Sequence, residues 1–150
     1  MGSHRAPVAV EPGQVEARLR SYFPAPHYAA VVAAWLFGSH GEKRAHRESD
    51  VDVGVLLDRR LLPTAAQRFD LRLRLTSDLI HALGRNEVDL IVLNDAPPLL
   101  ARRILRTGIE LFCSDRDRSR DFRRDVQIRA ADLAPFLERY RRMTLDALGR

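Results

Sequence analysis

The chain has 150 residues, 45% of them hydrophobic, a length that predicts one domain with a buried core. Its single cysteine, Cys113, excludes an internal disulfide framework, and the longest apolar stretch, Tyr28 to Phe37, is too short to cross a bilayer, so a reducing, cytoplasmic setting is expected. The net charge of +5 permits an acidic partner, but charges of both signs are interspersed and no aromatic-interleaved basic stripe occurs, which argues against direct nucleic-acid binding.

Residues 1–13 form a loose leader. "MGSHRAPVAVEPG" lacks the continuous apolar centre of a signal peptide, and Met1–His4 reads as a tag remnant. "PGQVEARLRSYF" carries Val15, Leu19, Tyr22 and Phe23 at helical spacing, with Pro24 and Pro26 closing it. "YAAVVAAWLFG" leads into a first strand that Gly38 ends, with Trp35 in its core. "DVDVGVLLD" reads as a second strand. From Thr64 to Leu83, Phe69, Leu73, Leu75, Leu79, Ile80 and Leu83 make a broad helical face, and Gly84 is a natural C-cap. "NEVDLIVLND" is a third strand, "PPLLARRILRTG" a short helix begun by proline and stopped by glycine, and "IELFCSD" a fourth strand.

The remainder, 116–150, is charged and helical in period, with Phe122, Val126, Leu133, Leu137, Tyr140 and Leu148 as its apolar stripe. Pro135 is tolerable three residues after an Asp132 N-cap, so two helices, or one kinked near residue 131, are expected. The whole is a small α/β (α+β) domain. A mixed sheet of about four strands is flanked by helices, with a core over 14–115 and a C-terminal helical segment packed on it.

Asp50 and Asp52 share one face of the second strand, with Val51 and Val53 on the other. Paired carboxylates repel, and burying their charge is costly unless a cation sits between them; hard oxygen donors suit Mg²⁺. An exposed edge strand whose aspartates face water is the alternative. Two further features favour the cation. Gly38-Ser39, after a strand, allows a phosphate to approach backbone N–H groups and a hydroxyl. Asp89, in the third strand, again interrupts an apolar pattern on the face of Ile91 and Leu93. A phosphate cradle with three carboxylates on adjoining strands fits metal-assisted phosphoryl chemistry.

Other polar residues carry less. His40, His46 and His81 are irregularly spaced and, with one cysteine, make no zinc site; they are expected on loops or facing solvent, although His40 follows Ser39 closely enough to touch a phosphate. Lys43, Arg44 and Arg47 share that loop, either solvated or in contact with a triphosphate or a partner. Ser114 and Ser119 have no neighbouring base in sequence, which supports no nucleophilic triad. Tyr140 is read as packing, with a partner-docking face as the alternative.

Gly38-Ser39, ten residues, then Asp50-Val-Asp52, with Asp89 in a later strand, resembles the signature of the polymerase-β-like nucleotidyltransferases. The short length is similar to the minimal nucleotidyltransferase (MNT) proteins, and "VDLIVLNDAPPLLARRILRTGIELFCSD" is especially like MntA-like antitoxins. "IRAADLAPFLERY" only partly follows their tail, and "HGEKRAHRE" replaces the Arg-Ala-x-Gly run that often follows Gly-Ser.

The resemblance implies that Gly38 and Ser39 hold the β- and γ-phosphates of ATP. It implies that Asp50 and Asp52 bind two Mg²⁺, and that Asp89 binds the metal activating the acceptor or serves as its base. It further implies an antitoxin that moves AMP to a tyrosine of a HEPN-family (HepT-like) ribonuclease toxin. The alternatives are a small-molecule, aminoglycoside-type nucleotidyltransferase and a non-catalytic antitoxin that neutralises by binding.

Overall fold

The structure is a computed structural model that describes residues 10–25, 28–45, 49–85 and 87–149. Helix α1, Pro12–Tyr22, begins with proline in its first turn and buries Val15 and Leu19. Strand β1, Val31–Phe37, runs directly into a single helical turn, α2, Gly38–Gly41. Strand β2 is Val51–Leu57 and helix α3 is Ala65–Leu83. A reciprocal capping box between Thr64 and Gln67 starts α3, and Gly84, in the left-handed conformation, ends it. Strand β3, Val88–Val92, helix α4, Pro98–Thr107, strand β4, Ile109–Cys113, and helix α5, Arg116–Leu148, complete the chain.

The strands form one mixed sheet in the order β3-β2-β1-β4, with β2 and β3 parallel and the other pairs antiparallel. Its two faces bury separate clusters. Val51, Val53, Val55 and Leu57 of β2 turn toward α1 and α3, where Leu71, Leu75, Leu79 and Leu83 meet them. Trp35, fully buried, and Leu56 lie on the opposite face with Leu93, Ile104 and Leu105 of the α4 layer and Val126 of α5. A Cβ at Gly54 would press on Ile104 and Leu93, so glycine in mid-strand lets α4 approach this second face closely. Asn94 closes the β2 end: its side chain accepts from the Leu57 N–H and donates to the Leu57 carbonyl, at 2.8 and 2.9 Å.

Three expectations are corrected. The C-terminal segment is neither two helices nor visibly broken at residue 131: α5 runs through Pro135 for 33 residues. Proline removes one backbone donor, and every residue from 131 to 149 is exposed, so water solvates the freed carbonyl. The packing expected of the whole tail is confined to its first half, where Ser119, Val126 and Ala130 are buried. Tyr140 is therefore not packed but 69% exposed. On α3 the buried stripe is Leu71, Leu75, Leu79 and Leu83, whereas Phe69 and Leu73 stand out in solvent at 50% and 53% exposure. Among the described residues, no helix is long and apolar enough to cross a membrane.

Candidate active site

The parallel register sets Asp52 of β2 directly beside Asp89 of β3, and the antiparallel register sets the same Asp52 beside Phe37, the residue before Gly38. Three strand ends thus deliver Gly38, Asp52 and Asp89 to one row. Asp50 precedes β2 by one residue and is exposed, as is Asp89, while Asp52 is partly buried.

That burial, followed by the charges of Asp89 and then Asp50, pushes the Asp52 carboxyl up to about 6. Asp89 and Asp50 thus lie close enough for their charges to act on Asp52. Among the described residues, no three His, Cys, Asp or Glu side chains are drawn together into a ready-made cation site. The donor set fits a hard divalent ion all the same, since it is made of carboxylate oxygens whose mutual repulsion a cation would relieve.

Gly38 has φ +66°, and a Cβ there would overlap the Asp52 carboxylate, so the turn into α2 needs glycine for conformation and for space. Ser39 follows half-exposed, and its carbonyl accepts from the Arg44 N–H at 2.8 Å. On the α4 side of this turn lies a cavity of about 200 Å³, lined by Gly38, Glu42, Leu100 and Arg103 among others. Arg103 was not singled out from sequence because it arrives from a separate helix, and nothing in "LLARRILR" distinguishes it from its neighbours.

His40 corrects another expectation: it is 5% exposed, and its Nε2–H donates to the Ser49 carbonyl at 3.3 Å. Arg85, also buried, reaches that carbonyl with Nη1 at 3.3 Å and holds the Val10 carbonyl at 2.7 Å with Nη2. Two side chains remote in sequence thus hold the peptide just before Asp50. Arg85 follows the Gly84 cap, but no sequence signal marks it as aimed at residue 49. His81 is exposed as expected, whereas His46 and Arg47 lie outside the described residues, as does Met1–His4.

In the loop, Arg44 pairs with Glu42, and exposed Lys43 takes a positive φ of 58°. Ser114 donates to the β1 carbonyls of Val31 and Val32, and buried Ser119 sits on α5, so neither joins the carboxylate row.

Residues 23–117, which include Gly38, Ser39, Asp50, Asp52 and Asp89, match the family described as Polymerase beta, Nucleotidyltransferase. The chain belongs to this nucleotidyltransferase family. Over 85 residues it is 33% identical to protein adenylyltransferase MntA of Shewanella oneidensis, covering 55% of each chain. It thus spans about half the length of the curated relative it matches.

Its fold resembles a chain of a toxin–antitoxin crystal structure with AMP-PNP, at TM-score 0.55 and 23% identity, covering 93% of this chain and 98% of that one. It also resembles a chain from the complex of a tri-AMPylated Shewanella oneidensis HEPN toxin with its MNT antitoxin, at TM-score 0.52 and 20% identity over 93% and 99%. Both likenesses concern the fold alone.

Proposed function

We propose that the chain is the antitoxin of a toxin–antitoxin pair, acting as a Mg²⁺-dependent protein adenylyltransferase that moves AMP from ATP to a tyrosine of a HEPN-family toxin. The observation that carries the reading is the row in which Gly38 abuts Asp52 and Asp52 stands beside Asp89. Family membership, the identity to MntA and the fold shared with toxin–antitoxin complexes support it.

Gly38 and Ser39 hold the β- and γ-phosphates. The positive φ of Gly38 brings the chain up to the triphosphate without a side chain in the way, and Ser39 offers its N–H and hydroxyl. Asp50 and Asp52 would hold Mg²⁺, with Asp89 completing the acceptor side. Mg²⁺, when bound, neutralises charge on the triphosphate and on the reacting oxygens. Asp89 takes the proton of the tyrosine hydroxyl as its oxygen bonds the α-phosphorus. The bond from the α-phosphorus to the bridging oxygen breaks, and pyrophosphate leaves. The staple of His40 and Arg85 on Ser49 fixes where Asp50 begins.

The test is to incubate the chain with α-labelled ATP, Mg²⁺ and a HEPN-family (HepT-like) toxin. The expected result is a +AMP mass shift on a toxin tyrosine, lost in an Asp50→Asn, Asp52→Asn double variant. Transfer that persists in the double variant refutes the mechanism. Neutralisation by that variant without transfer favours an antitoxin that works by binding alone.

A further inference from the structure

Beyond the carboxylate row lies a second, larger opening of about 570 Å³ at the free edge of β3, walled by the N-terminal turns of α3 and α4. Ala65, Ala66 and Phe69 form one side, Pro97 and Leu100 the other, and Ile91 the floor. Resting on the adenylyltransferase reading above, we infer that this groove is the acceptor subsite and that it takes the aromatic ring of the target tyrosine with the polypeptide around it.

Position is the first argument. Ile91 lies two residues after Asp89 on the same strand face, so the groove starts about 7 Å from the carboxylate that faces the acceptor. Leu100 lines both this groove and the smaller cavity at Gly38, so the two openings adjoin at that side chain. A nucleotide seated at Gly38 and a ring seated against Ile91 would meet at the row of Asp52 and Asp89.

Chemistry selects the occupant. The walls are apolar, and the groove has one carboxylate, Asp95, which already receives Nε and Nη2 of Arg68 at 2.9 Å each. Arg68 holds that carboxyl well below the usual range, so it stays ionised and committed. Arg72, the remaining charged group of the lining, donates Nε to the Leu90 carbonyl and has no acidic partner among the described residues. A groove with no uncommitted acid and one spare guanidinium repels a polycationic aminosugar and suits an uncharged ring. Half-exposed Phe69 and, one turn along α3, exposed Leu73 extend the apolar rim beyond the opening, which gives a polypeptide acceptor more to rest on than a small molecule needs.

Two variants test this without disturbing the core, because Ala66 and Phe69 are both exposed. Ala66→Trp fills the groove, and Phe69→Ser removes its rim. In the full chain, p-cresol, used as a free phenol probe, should shift the amide resonances of Ala66, Phe69 and Ile91 saturably in the wild type and leave them unmoved in Ala66→Trp. With the toxin as acceptor, both variants should lower kcat/KM about tenfold or more, Phe69→Ser chiefly through the toxin KM, while MgATP affinity stays within about twofold. Wild-type kcat/KM for the toxin in both variants, or p-cresol shifts that avoid the groove, overturns the assignment and leaves the adenylyltransferase reading intact. Faster transfer to an aminoglycoside than to the toxin, blocked by Ala66→Trp, overturns the choice of occupant. A wild-type chain that transfers no AMP at all overturns the underlying reading, and the acceptor assignment with it.

Discussion

Gly38 and Asp52 compete for one volume: any side chain on the glycine would land on the carboxylate of the neighbouring strand. Gly38→Ala should therefore act twice, by straining a backbone at φ +66° and by displacing Asp52. The expected loss is about 1–3 kcal/mol of unfolding free energy, read by urea denaturation, with MgATP binding weakened in parallel. A variant of unchanged stability and affinity would show that the turn relaxes freely.

The carboxyl of Asp52 gives the metal-free protein a pH dependence of definite sign. Its folded-state value of about 6 stands above the ordinary 3.8, so the ionised form destabilises the fold above pH 6 and the penalty disappears as both states protonate. The metal-free chain should become more stable as pH falls from 7 toward 4. Asp52→Asn should be the more stable chain at pH 7, by about 1–2 kcal/mol after allowance for solvent screening, and should lose that advantage near pH 4. Thermal melts in a chelator across this range measure it, and a variant less stable at pH 7 would contradict the sign.

Asp89 stands beside Asp52 but is exposed, so its removal should cost chemistry more than folding. Asp89→Asn should lower kcat for AMP transfer about 10²–10⁴-fold, with the melting temperature held within a few degrees. Single-turnover assays with the toxin saturating separate this from weakened acceptor binding.

Arg85 holds Val10 and Ser49 from inside the protein. Replacing it with methionine leaves buried carbonyls short of a donor, at about 1–3 kcal/mol. Hydrogen exchange should accelerate at Val51, whose N–H pairs with Glu87, and the Mg²⁺ concentration needed for activity should rise. Faster exchange with an unchanged Mg²⁺ requirement would limit Arg85 to a structural role.

The distal half of α5 buries nothing. A chain ending at Ala130 should therefore match the full chain in stability to within about 0.5 kcal/mol by chemical denaturation. A larger loss would mean that the exposed stripe of Phe136, Tyr140 and Met143 is covered in solution.

The carboxylate row was legible in the sequence because a strand's period of two and an acid in an apolar run are strong local signals, and the element order followed from proline, glycine and periodicity. What escaped was decided at a distance. His40 looked like a loop histidine because burial comes from α1 and the Ser49 peptide rather than from its neighbours in sequence. Phe69 and Leu73 looked like core because their spacing matches a helix face, yet that face lies across α3 from the buried stripe of Leu71, Leu75, Leu79 and Leu83. Pro135 suggested a break where a solvated helix simply loses one hydrogen bond. Arg85 reaches partners, and Arg103 a cavity, that no local pattern announces.

The order in which the chain is assembled also follows from the sheet. β1 and β2 are sequential, antiparallel neighbours, so Gly38 and Asp52 meet through a contact of short range. Asp89 joins them only after α3 has crossed over to lay β3 parallel to β2, a slower closure that depends on long-range packing. A nascent or partly unfolded chain would thus hold the glycine turn with one carboxylate beside it and lack the second. The capacity to react therefore waits on the long-range closure that pairs β3 with β2.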